Sequence, residues 1–150
     1  MRVQQFTLKV EQPLHERLSQ ARELDPQLVL AFADPAFFET PGVNLAGALH
    51  AAFPKELVIG CSSAGEISSN GVDTGSAVVT AVRFERPGMA MAREPIISMA
   101  DSESAGERLG AQLAVSQPHT VLVFGQGVEL NGSAMIRGLR AALGDGTTIA

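Results

Sequence analysis

The chain has 150 residues with 11 basic and 16 acidic side chains, a net charge of −5, one cysteine, no tryptophan and no tyrosine. Such a length suits one domain burying about 70% of its unfolded surface, and 45% apolar residues with 18% charged ones exclude intrinsic disorder. The acidic balance excludes the basic footprint of a nucleic-acid binder. A lone cysteine excludes an internal disulfide, and no Cys/His cluster has zinc-ligand spacing. No secretory signal or bilayer-length apolar run is present, so a reducing, cytoplasmic setting is expected.

In chain order, Phe6–Val10 alternates apolar and polar residues and reads as a half-buried strand. Pro13 opens a helix with Leu14, Leu18, Ala21 and Leu24 on one face, stopped by Asp25-Pro26. Leu28–Ala33 is short and continuously apolar, the signature of a strand covered on both faces. A loop from Asp34-Pro35 to Pro41-Gly42 leads to a helix over Val43–Phe53 and a second buried strand, Leu57–Cys61. The small-residue loop Ser62-Ser63-Ala64-Gly65 follows. Ser76–Phe84 and Met89–Ile97, flanking Arg86-Pro87-Gly88, are expected to pair as an antiparallel hairpin. Ser104 and Glu107 have capping-box spacing for the next helix. Thr120–Phe124 is a buried strand, Ser133–Leu143 a helix, and Thr147–Ala150 the start of one more strand.

The segments repeat. Leu28–Ala33 matches Thr120–Gly125 at an offset of 92 residues, and Ala48–Gly60 matches Gly138–Ala150 without a gap at an offset of 90. Any two βαβ units look somewhat alike, but co-linearity over three elements favours a duplication. The second copy stops after four residues of its last strand, from which a longer protein is expected. The fold class is therefore α/β: a mixed β-sheet with helices packed on its faces, βαβ units in a pseudo-repeat, and one antiparallel hairpin. Residues 1–150 are read as one domain, truncated within its last strand.

Three segments together resemble the N-terminal region of the FIST family of bacterial sensory domains: Val58–Ile67 (Val-Ile-Gly-Cys-Ser-Ser-Ala-Gly-Glu-Ile), Val121–Phe124, and Glu129-Leu130-Asn131-Gly132 with Ile136-Arg137-Gly138-Leu139. Ile59–Ile67 is the most specific part. The resemblance implies a cytoplasmic input domain without catalysis of its own, binding an amino-acid-like metabolite or, as in some relatives, haem that senses nitric oxide. It implies a histidine kinase, a diguanylate cyclase or phosphodiesterase, or a chemotaxis receptor as partner, and a C-terminal FIST region in the same protein.

The Gly60–Gly65 loop leaves the C-terminal end of a buried strand, the edge where open α/β sheets place ligands. Gly60 and Gly65 let backbone N–H groups approach a ligand; Ser62 and Ser63 add hydroxyls, so an anion could nest there. The same residues also suit a tight turn. Asp34 and Asn131 follow the ends of the equivalent strands and could border the crevice, Asp34 pairing a cation and Asn131, with Glu129, reading an amine or amide. Both also form ordinary turns. Met89, Met91 and Met99 are expected to fill core, and Glu103 and Glu107 to form a solvated helix start.

Gly60-Cys61-Ser62-Ser63-Ala64 falls one substitution short of a nucleophile elbow. The rival function is accordingly an acyl- or thioester-processing enzyme with Cys61 or Ser62 as nucleophile. It requires His15, His50 or His119 within hydrogen-bond reach, whereas a sensor expects Cys61 as a small buried core residue. Non-covalent haem would need one of these histidines or Cys61 as axial ligand; no metal or other cofactor is expected.

Overall fold

The computed structural model describes residues 1–54, 57–86 and 88–150. They form two compact units, Met1–Pro87 and Gly88–Ala150.

The first unit is built on a four-stranded mixed sheet. Its strands are β1 (Arg2–Lys9), β6 (Ser76–Arg83), β2 (Leu28–Ala33) and β3 (Leu57–Ser62), in that spatial order. β6 runs antiparallel to both β1 and β2, while β2 and β3 are parallel, with Ala31 opposite Gly60 and Ala33 opposite Ser62. The continuous apolar run of β2 and the mostly apolar β6 suit their interior places, where no residue of either strand is fully exposed. Helices α1 (Leu14–Ser19) and α3 (Leu45–Ala52) pack on one face, where Leu18, Leu45, Leu49, Phe37 and Phe53 meet Val29, Ala31 and Val79. The helix expected up to Asp25 divides into α1 and a 3-10 turn over Gln20–Leu24. Asp25 closes it in the left-handed region at φ 49°. A short helix within the expected loop, α2 (Ala36–Glu39), buries Phe37.

The expected hairpin of Ser76–Phe84 with Met89–Ile97 does not form, although both segments have strand-like sequences. Both edges of β6 are already taken, by β1 and by β2, so residues 89–97 have nothing on β6 to pair with. Pro87 of the expected turn lies outside the described residues. The antiparallel hairpin lies instead between β4 (Glu66–Ser68) and β5 (Gly71–Asp73), with Ile67 opposite Val72.

The second unit centres on α4 (Ser102–Ala114) and α5 (Gly132–Leu143), beside a parallel pair of β7 (Thr120–Val121) and β8 (Thr148–Ile149). Val123 N–H donating to Ala150 (2.7 Å) continues that pairing. The helices meet backbone to backbone. A Cβ on Gly138 would lie 2.0 Å from the Glu103 carbonyl oxygen, and one on Gly106 2.3 Å from that of Met135. Ala105, Met135 and Leu139 form the core there. Ser104 lies inside α4 rather than at its cap, because a 3-10 turn over Met99–Asp101 carries the helix start upstream. Met89, Met91 and Met99 are exposed, not core, since the segment carrying them joins no sheet. That segment is held to α4 by Arg108, which binds Glu94 and Asp101, and by Gln112 Nε2 donating to Glu94 (3.0 Å). The guanidinium of Arg108, donating to Asp101, holds that carboxyl below its ordinary value of 3.8, helped by the Ile97 N–H. Glu103 pairs at the surface with Arg137 (2.9 Å). The buried strand expected over Thr120–Phe124 is reduced to Thr120–Val121, and Leu122 and Phe124 beyond it are exposed.

Candidate functional site

β3 lies at the end of the strand order, and its burial falls off from Leu57 to Ser62. Gly60 permits the close ladder with β2: a Cβ there would stand 1.8 Å from the Ala31 carbonyl oxygen. Between this edge strand and α3 runs a groove of about 390 Å³. Leu45, Ala46, Leu49 and His50 line it from α3, Phe38 from α2, and Val58 through Ser62 from β3. The walls are apolar; His50, Cys61 and Ser62 supply an imidazole, a thiol and a hydroxyl. Cys61 is exposed, against the expectation of a small core residue, because it sits where an edge strand runs out beyond its cover. Among the described residues no hydrogen bond joins His50, His15 or His119 to Cys61 or Ser62.

The structure brings Gly60, Cys61 and Ser62 together in the groove and gives Ser63, Asp34 and Asn131 internal partners. Ser63 N–H donates to the Ala33 carbonyl (2.9 Å), and its hydroxyl donates to Glu66 (2.8 Å). Gly65 follows in the same loop, where a Cβ would make only ordinary contacts with Asp73 and Val72. Asp34 accepts from Ala36 N–H (2.9 Å), opening α2, and from Gly75 N–H (3.1 Å). Asn131, in the second unit, caps α5 by accepting from Ala134 N–H (3.1 Å), while its own N–H donates to Ser102 Oγ (3.0 Å). His15 lines a smaller cavity of about 200 Å³ with Gln12 and Asn44. No cluster of three or more metal-ligating side chains occurs among the described residues, and none of their helices is long and apolar enough to cross a membrane.

Phe38 and His50 were not expected as groove residues. Phe38 is carried by the unforeseen α2. His50 stands on the same helical face as Ala46, four residues earlier, a spacing that could have marked the pair as neighbours. Glu66 is likewise unforeseen: it is 1% exposed and accepts from three donors.

Compared with known proteins, residues 27–150 match the FIST N domain, more than four-fifths of the chain. No curated protein and no solved structure matches it significantly.

Proposed function

The chain belongs to the FIST N domain family, which is associated with sensing in signal transduction, and from that premise we propose that it is a non-enzymatic, cytoplasmic input domain whose ligand lies in the groove between β3 and α3. The groove carries this reading. Its volume of about 390 Å³ lies in the range of roughly 300–1,000 Å³ that small-molecule sites occupy, and it borders the C-terminal half of a parallel strand pair. Apolar walls with polar groups from His50, Cys61 and Ser62 suit a metabolite with an apolar body and a polar head, such as an amino acid with an apolar side chain. Gly60, Cys61 and Ser62 are the proposed contacts; Asp34, Ser63 and Gly65 shape the surrounding loops, whereas Asn131 serves as the cap of α5 in the second unit. Occupancy is passed to a histidine kinase, a diguanylate cyclase or phosphodiesterase, or a chemotaxis receptor, with a C-terminal FIST region completing the protein.

A thermal-shift screen of amino acids on the purified chain tests this. One compound should raise the melting temperature, and Ala46→Phe, which fills the groove from an exposed helix position, should abolish the rise. A rise that survives Ala46→Phe would sink the assignment.

One observation favours the rival acyl- or thioester-processing enzyme: the exposed thiol and His50 line the same groove. On that reading His50→Ala slows alkylation of Cys61 severalfold; on the sensory reading it leaves the rate unchanged. Haem would also find suitable donors, His50 or Cys61 beside apolar walls. An absorption spectrum with added haem decides: a Soret band lost in His50→Ala or Cys61→Ala would replace the metabolite by haem.

A further inference from the structure

Glu66 is the one buried carboxylate among the described residues. A carboxylate out of water is costly unless its oxygens are satisfied, and here they are. Oε1 accepts from Ser63 Oγ (2.8 Å); Oε2 accepts from Ser76 Oγ (3.0 Å) and Ser76 N–H (3.3 Å). Ser63 N–H also donates to Ala33, and Asp34 N–H to the Ser76 carbonyl (2.8 Å). The Glu66 side chain therefore closes a knot that joins the ends of β2 and β3 to the starts of β4 and β6.

Two surfaces leave this knot in different directions. Cys61 and Ser62, the residues just before Ser63, line the groove, and so does Phe38 on α2, the helix that Asp34 opens. On the other side the β4–β5 hairpin starts at Glu66 itself. It presents an apolar cross-strand pair, Ile67 and Val72, at 75% and 76% exposure. Polar ties hold the hairpin to β1: Lys9 Nζ donates to the Thr74 carbonyl (3.2 Å), and Ser69 N–H donates to Gln5 (2.9 Å). An apolar residue of similar volume could fill the space under the loop, but it would bind neither serine, whereas the carboxylate binds Ser63 and Ser76 at once.

We propose that Glu66 is a positioning residue that couples the groove to the β4–β5 hairpin: through Ser63 it holds the Cys61–Ser62 wall in place, and through its own backbone it carries a displacement of that wall to Ile67 and Val72. This rests on the groove being the ligand site.

Cys61 is the only cysteine and lines the groove, so N-ethylmaleimide supplies an occupant without a known ligand. Amide resonances of the whole chain are compared before and after alkylation in the wild type, Ser63→Ala and Glu66→Met. Ser63→Ala leaves the Glu66–Ser76 bonds intact and so retains the fold, and Glu66→Met keeps the volume while removing both acceptor oxygens. In the wild type, resonances of Glu66–Asp73 should shift together with those of Ala46–His50. In both variants the hairpin shifts should be lost, because the bond from Ser63 to Glu66 is gone, while those of Ala46–His50 persist. Hairpin shifts of wild-type size in both variants would overturn the proposal, as would a wild-type hairpin that stays still while Ala46–His50 moves. Because the alkyl group stands in for the ligand, a metabolite screen that finds nothing defeats the sensory reading and leaves this result standing.

Discussion

The segments β2–α3–β3 and β7–α5–β8 begin from matching sequence patterns and reach different settings. Each is a parallel strand pair joined through a helix whose N-terminus is capped by asparagine: Asn44 accepts from Gly47 N–H and Asn131 from Ala134 N–H. In the first unit β2 gains β6 as a second neighbour, with β1 beyond, and four of its six residues are buried and none exposed. In the second, the ladder is two residues long, and the close fit of α4 on α5 through Gly106, Gly110 and Gly138 provides the packing. Equal local patterns thus yield a sheet-based core where further strands join and a helix-based core where the pair stands alone. Three or more strands are what make a sheet independently stable.

Substitutions in the two cores should sharpen that contrast. Phe53→Ala, at a fully buried position of the first unit, should cost about 3–5 kcal/mol in chemical denaturation and release amide protection across the four-stranded sheet. Gly138→Ala should cost the second unit about 1–3 kcal/mol by forcing apart backbones with no room for a methyl group, despite the gain of up to ~1 kcal/mol in helix propensity. Hydrogen exchange would read the loss in α4 and α5. If the substitution instead raised stability, the helix–helix contact would not be the core of that unit. Removing the caps compares the copies directly. Asn44→Ala and Asn131→Ala should each cost ~1 kcal/mol, with the eight-residue α3 fraying further along its length than the twelve-residue α5.

Acid provides the smallest effect. Asp73 in the first unit is held below its ordinary value of 3.8 by its hydrogen bond from Lys9 and by Thr74 N–H, as Asp101 in the second is by Arg108. A lowered folded-state pKa means that the stabilisation is present above the unfolded-state value, near pH 4, and is lost as pH falls through the folded one. Both are solvent-screened pairs, so Asp73→Asn and Asp101→Asn should each slightly flatten the loss of stability below pH 4, and added salt should shrink the difference. An unchanged acid limb in both variants would show that neither pair contributes.

Much of the scaffold is legible from local pattern. β2 coincides with the expected Leu28–Ala33, β3 extends the expected strand by one residue, and α5 begins one residue early, because apolar runs and helical periodicity act within a few residues of chain. What misled was pairing and cover. Met89–Ile97 has strand chemistry, but the availability of a partner edge depends on β1, some eighty residues earlier. Cys61 has core chemistry beside Val58 and Ile59, but its exposure follows from β3 standing at the sheet's end. Of the candidate site, the Gly60–Ser62 segment could be read from its small residues at a strand end. Phe38 and His50 joined it only because α2 and α3 fold over that edge, and Glu66 looked like an ordinary polar residue until Ser63 and Ser76 closed around it.

The sequence by itself determined the α/β class, the family, the βαβ repeat and the strand end that borders the groove, since each is written in short-range periodicity or in a contiguous motif. Only the tertiary structure decided which strand is interior and which is edge, that the cysteine faces solvent, and that a buried carboxylate ties the groove's loop to a hairpin. Those properties depend on which distant segments occupy each hydrogen-bonding edge and each apolar face, and no local stretch of chain carries that information.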